Sequence, residues 1–249
     1  MMNNRAFLVM ICLWSAYAQA ELSIQITQGV DNPIPIAIVP FAWEGDGVLS
    51  EDIDQIVMDD LQQVGEFRAL SPGNMLSLPN EEREVFFQDW RVLAQDYLLD
   101  GKINRATGSQ LVRVQYELFD IIRELKLAGE ILTGSVTQLR DIGHEISNVV
   151  FELVTGTRGA FTTQILYIVS EQSAGDLTVF RLEKADYDGQ RAQVLLESNE
   201  PIMSPSWSPN GEDIAYVSFE TSLPRIYTQN IATGQRRQIT NYPLSLIHI

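Results

Sequence analysis

The chain is nearly without cysteine. Its one thiol, Cys12, falls inside an amino-terminal stretch that reads as a removable leader, so from Glu21 onward there is no disulfide, thiolate ligand or sulfur nucleophile. Histidine is almost as scarce, at two residues in 249, His144 and His248. No G-x-S-x-G, P-loop or H-E-x-x-H pattern occurs. Basic charge is also thin: 17 Lys and Arg stand against 33 Asp and Glu, a formal net charge of -16. Such a surface repels phosphate backbones and anionic lipid, which removes nucleic acid and membrane surfaces as partners. The acidity is uneven, with 23 acidic and 10 basic residues from Glu21 to Ala160, and 10 and 6 from Phe161 onward.

Long hydrophobic runs are missing as well. The longest, Ala6 to Trp14, follows Arg5 and has nine residues, far short of the roughly 20 that a membrane-spanning helix needs. It is succeeded by "SAYAQA", ending Ala18-Gln19-Ala20, the small-residue pattern of a leader cleaved between Ala20 and Glu21. Bulky Ile11 before Cys12 argues against a lipid-modified cysteine. Residues 1–20 are therefore expected to be a signal peptide and the remainder an exported, soluble protein.

What is present divides at about residue 160. "IAIVPF" (Ile36 to Phe41) reads as a buried strand, and Ser50 as the cap of a helix whose Ile53, Ile56, Val57, Leu61 and Val64 share one face until Gly65. A second helix is expected near Phe86 to Ala94, then a strand from Tyr97 to Ile103. "LVRVQYELF" alternates: Val112, Val114, Tyr116 and Leu118 point one way, Arg113, Gln115 and Glu117 the other, as on a half-exposed strand. A strand near Leu125 to Thr133 leads to a last helix with Leu139, Ile142, Ile146, Val149, Val150 and Leu153 on one stripe. Residues 21–160 thus form an α/β domain with a mixed sheet.

From residue 161 to 249 helical spacing gives way to short strands that repeat. "ILYIV" matches "IAYVS", placing Tyr167 and Tyr216 49 positions apart, and "DGQRAQVLL" matches "TGQRRQIT", placing Gly189 and Gly234 45 apart. Four-stranded units at this period are β-propeller blades. About two fit, an incomplete propeller, since closure takes at least four. The repeat is followed as far as Pro243, and Leu244 to Ile249 carry no further hairpin, so the chain is expected to be truncated within the propeller.

A leader, a small α/β domain and "PIMSPSWSPNGEDIAYVSFE" opening a propeller together resemble the TolB family of the Tol-Pal system. "GVDNPIPIAIVPFAW", "EDIDQIVMDDLQQVGEFRAL", "ELVTGTRGAFTTQILYIV" and "DYDGQ" extend the resemblance over nearly the whole chain after the leader. It implies a six-bladed propeller that binds the lipoprotein Pal, and an extreme amino terminus that engages TolA. On this chain that epitope maps to Glu21, Leu22, Ser23, Ile24, Gln25, Ile26, Thr27, Gln28, Gly29, Val30, Asp31 and Asn32. Within it, Leu22, Ile24 and Ile26 alternate with Ser23, Gln25 and Thr27, the pattern of an edge strand able to dock at home or on a partner's sheet. The implied role is a non-enzymatic periplasmic adaptor, without cofactor or metal, linking TolA to outer-membrane Pal for envelope integrity and constriction during division. Similar W-S-P-x-G hairpins also occur in exported serine peptidases, whose catalytic domain would follow the propeller, so that alternative stays open on the hairpins alone.

Other residues with chemical potential read blandly. His144 lies off the Leu139–Leu153 stripe and is expected to face solvent. "KADYDGQ" looks like a calcium loop, but Lys184 stands where the first aspartate belongs and no glutamate closes it, so a turn between blade strands is expected. "EERE" (Glu81 to Glu84) reads as a solvated helix start.

Overall fold

The computed structural model describes residues 32–105, 108–109, 111–172 and 178–240. The leader with its Ala20–Glu21 cleavage point, the segment Glu21 to Asp31 and residues 241–249 lie outside the described residues; Asn32 is the first within them.

Unbroken apolar sequence puts β1 (Ile34–Ile38) in the middle of a sheet covered on both faces. It pairs in parallel with β3 (Phe67–Ala69) on one side and β4 (Tyr97–Arg105) on the other. β5 (Leu111–Asp120) and β6 (Leu125–Ser135) continue antiparallel, giving the order β3-β1-β4-β5-β6, while β2 (Ala42–Glu44) pairs with the outer half of β4. The run expected to be one strand through Phe41 divides because Pro40 has no N–H, and the Phe41 N–H is taken by Asp54 Oδ1 at 3.2 Å.

Helices α1 (Ile53–Val64) and α3 (Leu139–Thr155) cover one face, and both end at glycines with positive φ, Gly65 and Gly156. The apolar stripes bury Ile53, Val57, Leu61, Leu139, Ile146 and Val150 as spacing predicts, but Val64 and Leu153 remain 42% and 47% exposed at the last turns. The cap of α1 is Asp52, two residues past Ser50. The opposite face carries residues 71–96, two 3-10 turns and the short α2 (Phe87–Val92), which place Trp90 and Val85 over Leu98 and Phe119. This cover corrects the reading of β5: Glu117 is 7% exposed and Phe119 is buried, so the strand is half-exposed only in its first half. "EERE" forms the second 3-10 turn, and Glu81 and Glu82 reach Lys102 and Lys126 at 2.6 and 3.0 Å.

Beyond Gly159 come two antiparallel sheets, β7-β8-β9 (Gln164–Gln172, Thr178–Asp186, Gln193–Ser198) and β10-β11-β12-β13 (Ile202–Trp207, Asp213–Ser218, Arg225–Asn230, Arg236–Gln238). The sequence repeat maps β7, β8 and β9 onto β11, β12 and β13, with Gly189 and Gly234 at equivalent turns and φ of +82° and +69°. Among the described residues the first blade has no counterpart of β10, so the expected four-stranded unit is complete once. At the β10–β11 hairpin the positive φ falls on Gly211 alone, while Asn210 Oδ1 accepts the Glu212 N–H at 3.2 Å. This is an α/β fold with a mixed sheet followed by an incomplete β-propeller. No helix among the described residues is long and apolar enough to cross a membrane.

Candidate functional site

The densest polar constellation joins the two folds, and it overturns the placement of His144. That side chain is 2% exposed, held between α1 and the turn after β8. A helical wheel with one apolar stripe misplaces it because α3, besides covering the sheet, is flanked at His144 by α1 and by the first blade. Gly143 lets α1 approach: a Cβ there would stand 2.9 Å from Ile56 Cγ2.

Asp60 projects from α1 and is equally buried. Its Oδ2 lies 2.8 Å from His144 Nδ1, and its Oδ1 accepts the Tyr187 hydroxyl at 2.6 Å. Both partners of one helical carboxylate are thus accounted for, one from each fold. Burial, then the hydrogen bond to Asp60, pushes the Tyr187 phenol well above its ordinary range, so it is a permanent donor. Asp188 follows on the turn, its Oδ2 bonded by Arg140 Nη2 and 3.9 Å from His144 Nε2. Burial alone would raise the Asp188 carboxyl; the Gln190 N–H and Arg140 more than offset that and hold it below the usual carboxylate range.

A second arginine completes the junction. Arg191 donates to Asp186 at 2.6 Å and to Asp141 at 2.5 Å, stitching the turn to the first turn of α3. Those two hydrogen bonds hold its guanidinium above its ordinary value. Beside it a cleft of about 260 Å³ opens between Asp141, His144, Thr163 and Asp186. Rings carry the contact inward. His144, Tyr187, Phe161 and Phe151 meet edge to face at centroid distances of 5.5, 5.3 and 5.7 Å, and Phe67 follows at 6.0 Å. The Tyr187 N–H also donates to Thr163 O at 3.1 Å.

Asp60, His144 and Asp188 each offer a metal-ligating atom, all within 4.8 Å of one another. The donor set is already committed, however: Nδ1 faces Asp60, and Asp188 carries the Arg140 guanidinium. The arrangement suits protons and guanidinium better than a metal ion. "KADYDGQ" does form the β8–β9 turn, with Tyr187 and Asp188 facing the α/β fold. Of the twelve-residue epitope only Asn32, which is exposed, lies among the described residues. Sequence reasoning missed Asp60, Arg140, Tyr187, Asp188 and Arg191. One signal was available: Asp60 sits four residues after Ile56 and three after Val57, an acid on an apolar stripe.

Family models match both parts of the chain, the TolB amino-terminal domain over residues 22–127 and the TolB beta propeller domain over residues 151–247. The Tol-Pal system protein TolB of Pseudomonas fluorescens (strain SBW25) is 46% identical over 96% of this chain and 55% of its own length. That of Hahella chejuensis is 43% identical over 97% of this chain and 56% of its own. The chain therefore spans about half the length of these relatives. The crystal structure of TolB from Acinetobacter baumannii superposes with a TM-score of 0.75 at 32% identity, covering 88% of this chain and 52% of that one. An α/β fold with a mixed sheet, propeller blades in the same order and relatives at this identity across both parts agree: the chain belongs to the TolB family.

Proposed function

We propose that the protein is a non-enzymatic periplasmic adaptor of the Tol-Pal system, joining TolA to the outer-membrane lipoprotein Pal. In this reading residues 21–160 form the amino-terminal domain, and residues 161–249 belong to the propeller. Residues 21–32 engage TolA, and the propeller binds Pal through its inter-strand loops. The observation that carries it is identity of 43–46% to Tol-Pal proteins running through both folds. The junction adds a physical reason. An adaptor needs its two binding parts mechanically connected, and Tyr187, Asp188 and Arg191 fasten the first blade to both α1 and α3. The amino-terminal match over residues 22–127 favours the adaptor over the propeller-peptidase alternative. A pull-down with the carboxy-terminal domain of TolA tests this reading. The protein begun at Pro33 should lose TolA while keeping its circular dichroism spectrum. Retained capture would overturn the assignment of residues 21–32.

A further inference from the structure

We propose that His144 is a proton-operated latch between the α/β fold and the first propeller blade. Its ring lies between two carboxylates, one from each fold: Asp60 Oδ2 is 2.8 Å from Nδ1, and Asp188 Oδ2 is 3.9 Å from Nε2. Nε2 is buried and has no hydrogen-bond partner among the described residues.

The two nitrogens cannot both be suited by a neutral ring. With its proton on Nδ1, imidazole donates to Asp60 and turns the Nε2 lone pair toward the Asp188 carboxylate. With the proton on Nε2, it turns a lone pair toward Asp60. Only the imidazolium presents a donor to each side. A small shift of the turn toward α3 would then close the second hydrogen bond, and α1, α3 and the blade would share one charge.

The surroundings decide whether a cation is tolerated there. From α1 the facing groups are Asp60 and, through it, the Tyr187 hydroxyl. From the blade they are Asp188, Asp186 and Arg191, and from α3 itself Arg140 and Asp141. Glu51 adds a carboxylate on the far side of Arg140 at 3.4 Å. Five carboxylates thus meet two guanidiniums, and the cluster has room for a further positive charge. Deprotonation would leave Arg140 as the one α3 group bonded to Asp188, whose other partner is the Gln190 N–H of its own turn, and would set a lone pair against one carboxylate, loosening the turn from α3. The latch concerns this junction and stands independently of which partners the protein binds.

The experiment combines imidazole nitrogen NMR with hydrogen exchange on the whole chain. His248, the one other histidine, is assigned by His248→Gln. At pH 5.5 the His144 nitrogens should both report bound protons, and on raising the pH one should be lost. Over the same range, exchange of the Tyr187 and Gln190 amides, corrected for its intrinsic pH dependence, should speed by about tenfold. His144→Asn, which can keep a donor toward Asp60 but neither titrates nor reaches Asp188, should show little pH dependence. A neutral ring from pH 5 to 8 would overturn the latch even if the variant failed to fold. Equal pH dependence in parent and His144→Asn would overturn it too, as would its abolition by EDTA, which would assign the site to a metal.

Discussion

Asp100 and Glu117 are cross-strand partners on β4 and β5, two buried carboxyl groups side by side beneath the layer that carries Trp90. Lys126 reaches Glu117 Oε1 at 2.5 Å, whereas both oxygens of Asp100 lack a partner among the described groups. Burial, and then the neighbouring Glu117 charge, pushes the Asp100 carboxyl up to about 8.

The sign of the pH effect follows. Between the ordinary carboxylate value near 4 and about 8, the folded state holds a proton that the unfolded chain has released, so stability falls as pH rises, by up to ~1.4 kcal/mol per unit. Asp100→Asn removes this dependence. From pH 5 to 7.5 it should gain on the parent by about 2 kcal/mol or more in urea unfolding. Parallel stability curves for parent and variant would show that Asp100 holds no such proton.

Gly143 and Ile56 give a second prediction. Alanine is the better helix former by about 1 kcal/mol, yet its Cβ would lie 2.9 Å from Ile56 Cγ2 and 3.2 Å from Ile56 Cβ. Both atoms are held close to a stiff β-branched stem. Gly143→Ala should therefore lower stability by about 1–3 kcal/mol, and adding Ile56→Ala should cost less than the sum of the two single changes. Thermal unfolding of the three variants measures this, and strict additivity would mean that the helices separate freely.

Tyr187→Phe isolates one hydrogen bond of the junction. Its ring contacts with Phe161 and His144 survive while Asp60 Oδ1 loses its donor. The expected loss is about 1–3 kcal/mol, the cost of an unpaired buried acceptor. No loss in chemical denaturation would show that water replaces the hydroxyl.

A fourth prediction concerns Pal. The chain covers 55% of the Pseudomonas fluorescens relative, so a binding rim shared among all the blades would be only partly represented. Calorimetric titration should show Pal binding weaker by at least tens of fold than for a full-length relative. Comparable affinity would locate the site within the first two blades.

Periodicity made the α/β part legible wherever an element buries one face against one neighbour. Ile53, Val57 and Leu61, or Val112, Val114 and Tyr116, declare a face at a fixed interval, and the paired turns at Gly189 and Gly234 declared the blade repeat. Glu117 and His144 did not, since each is buried by a second neighbour from elsewhere in the chain. For Glu117 it is an irregular stretch of 3-10 turns without a period, and for His144 a blade turn over forty residues later. A charged residue between apolar ones looks the same in sequence whether it meets water or a partner carboxylate.

Phe161 and Tyr187 carry a consequence for modularity. Both follow the last helix, yet Phe161 belongs to the buried cluster of the α/β fold and Tyr187 packs against it. The division visible in topology is thus not a division in the core. Cut after Gly156, the α/β part would lose two of the rings that plug its own interior. Recombination between relatives could not exchange either part cleanly unless residues 161 and 187 travelled with the partner they fill. Two folds that share a core in this way are expected to melt as a single piece.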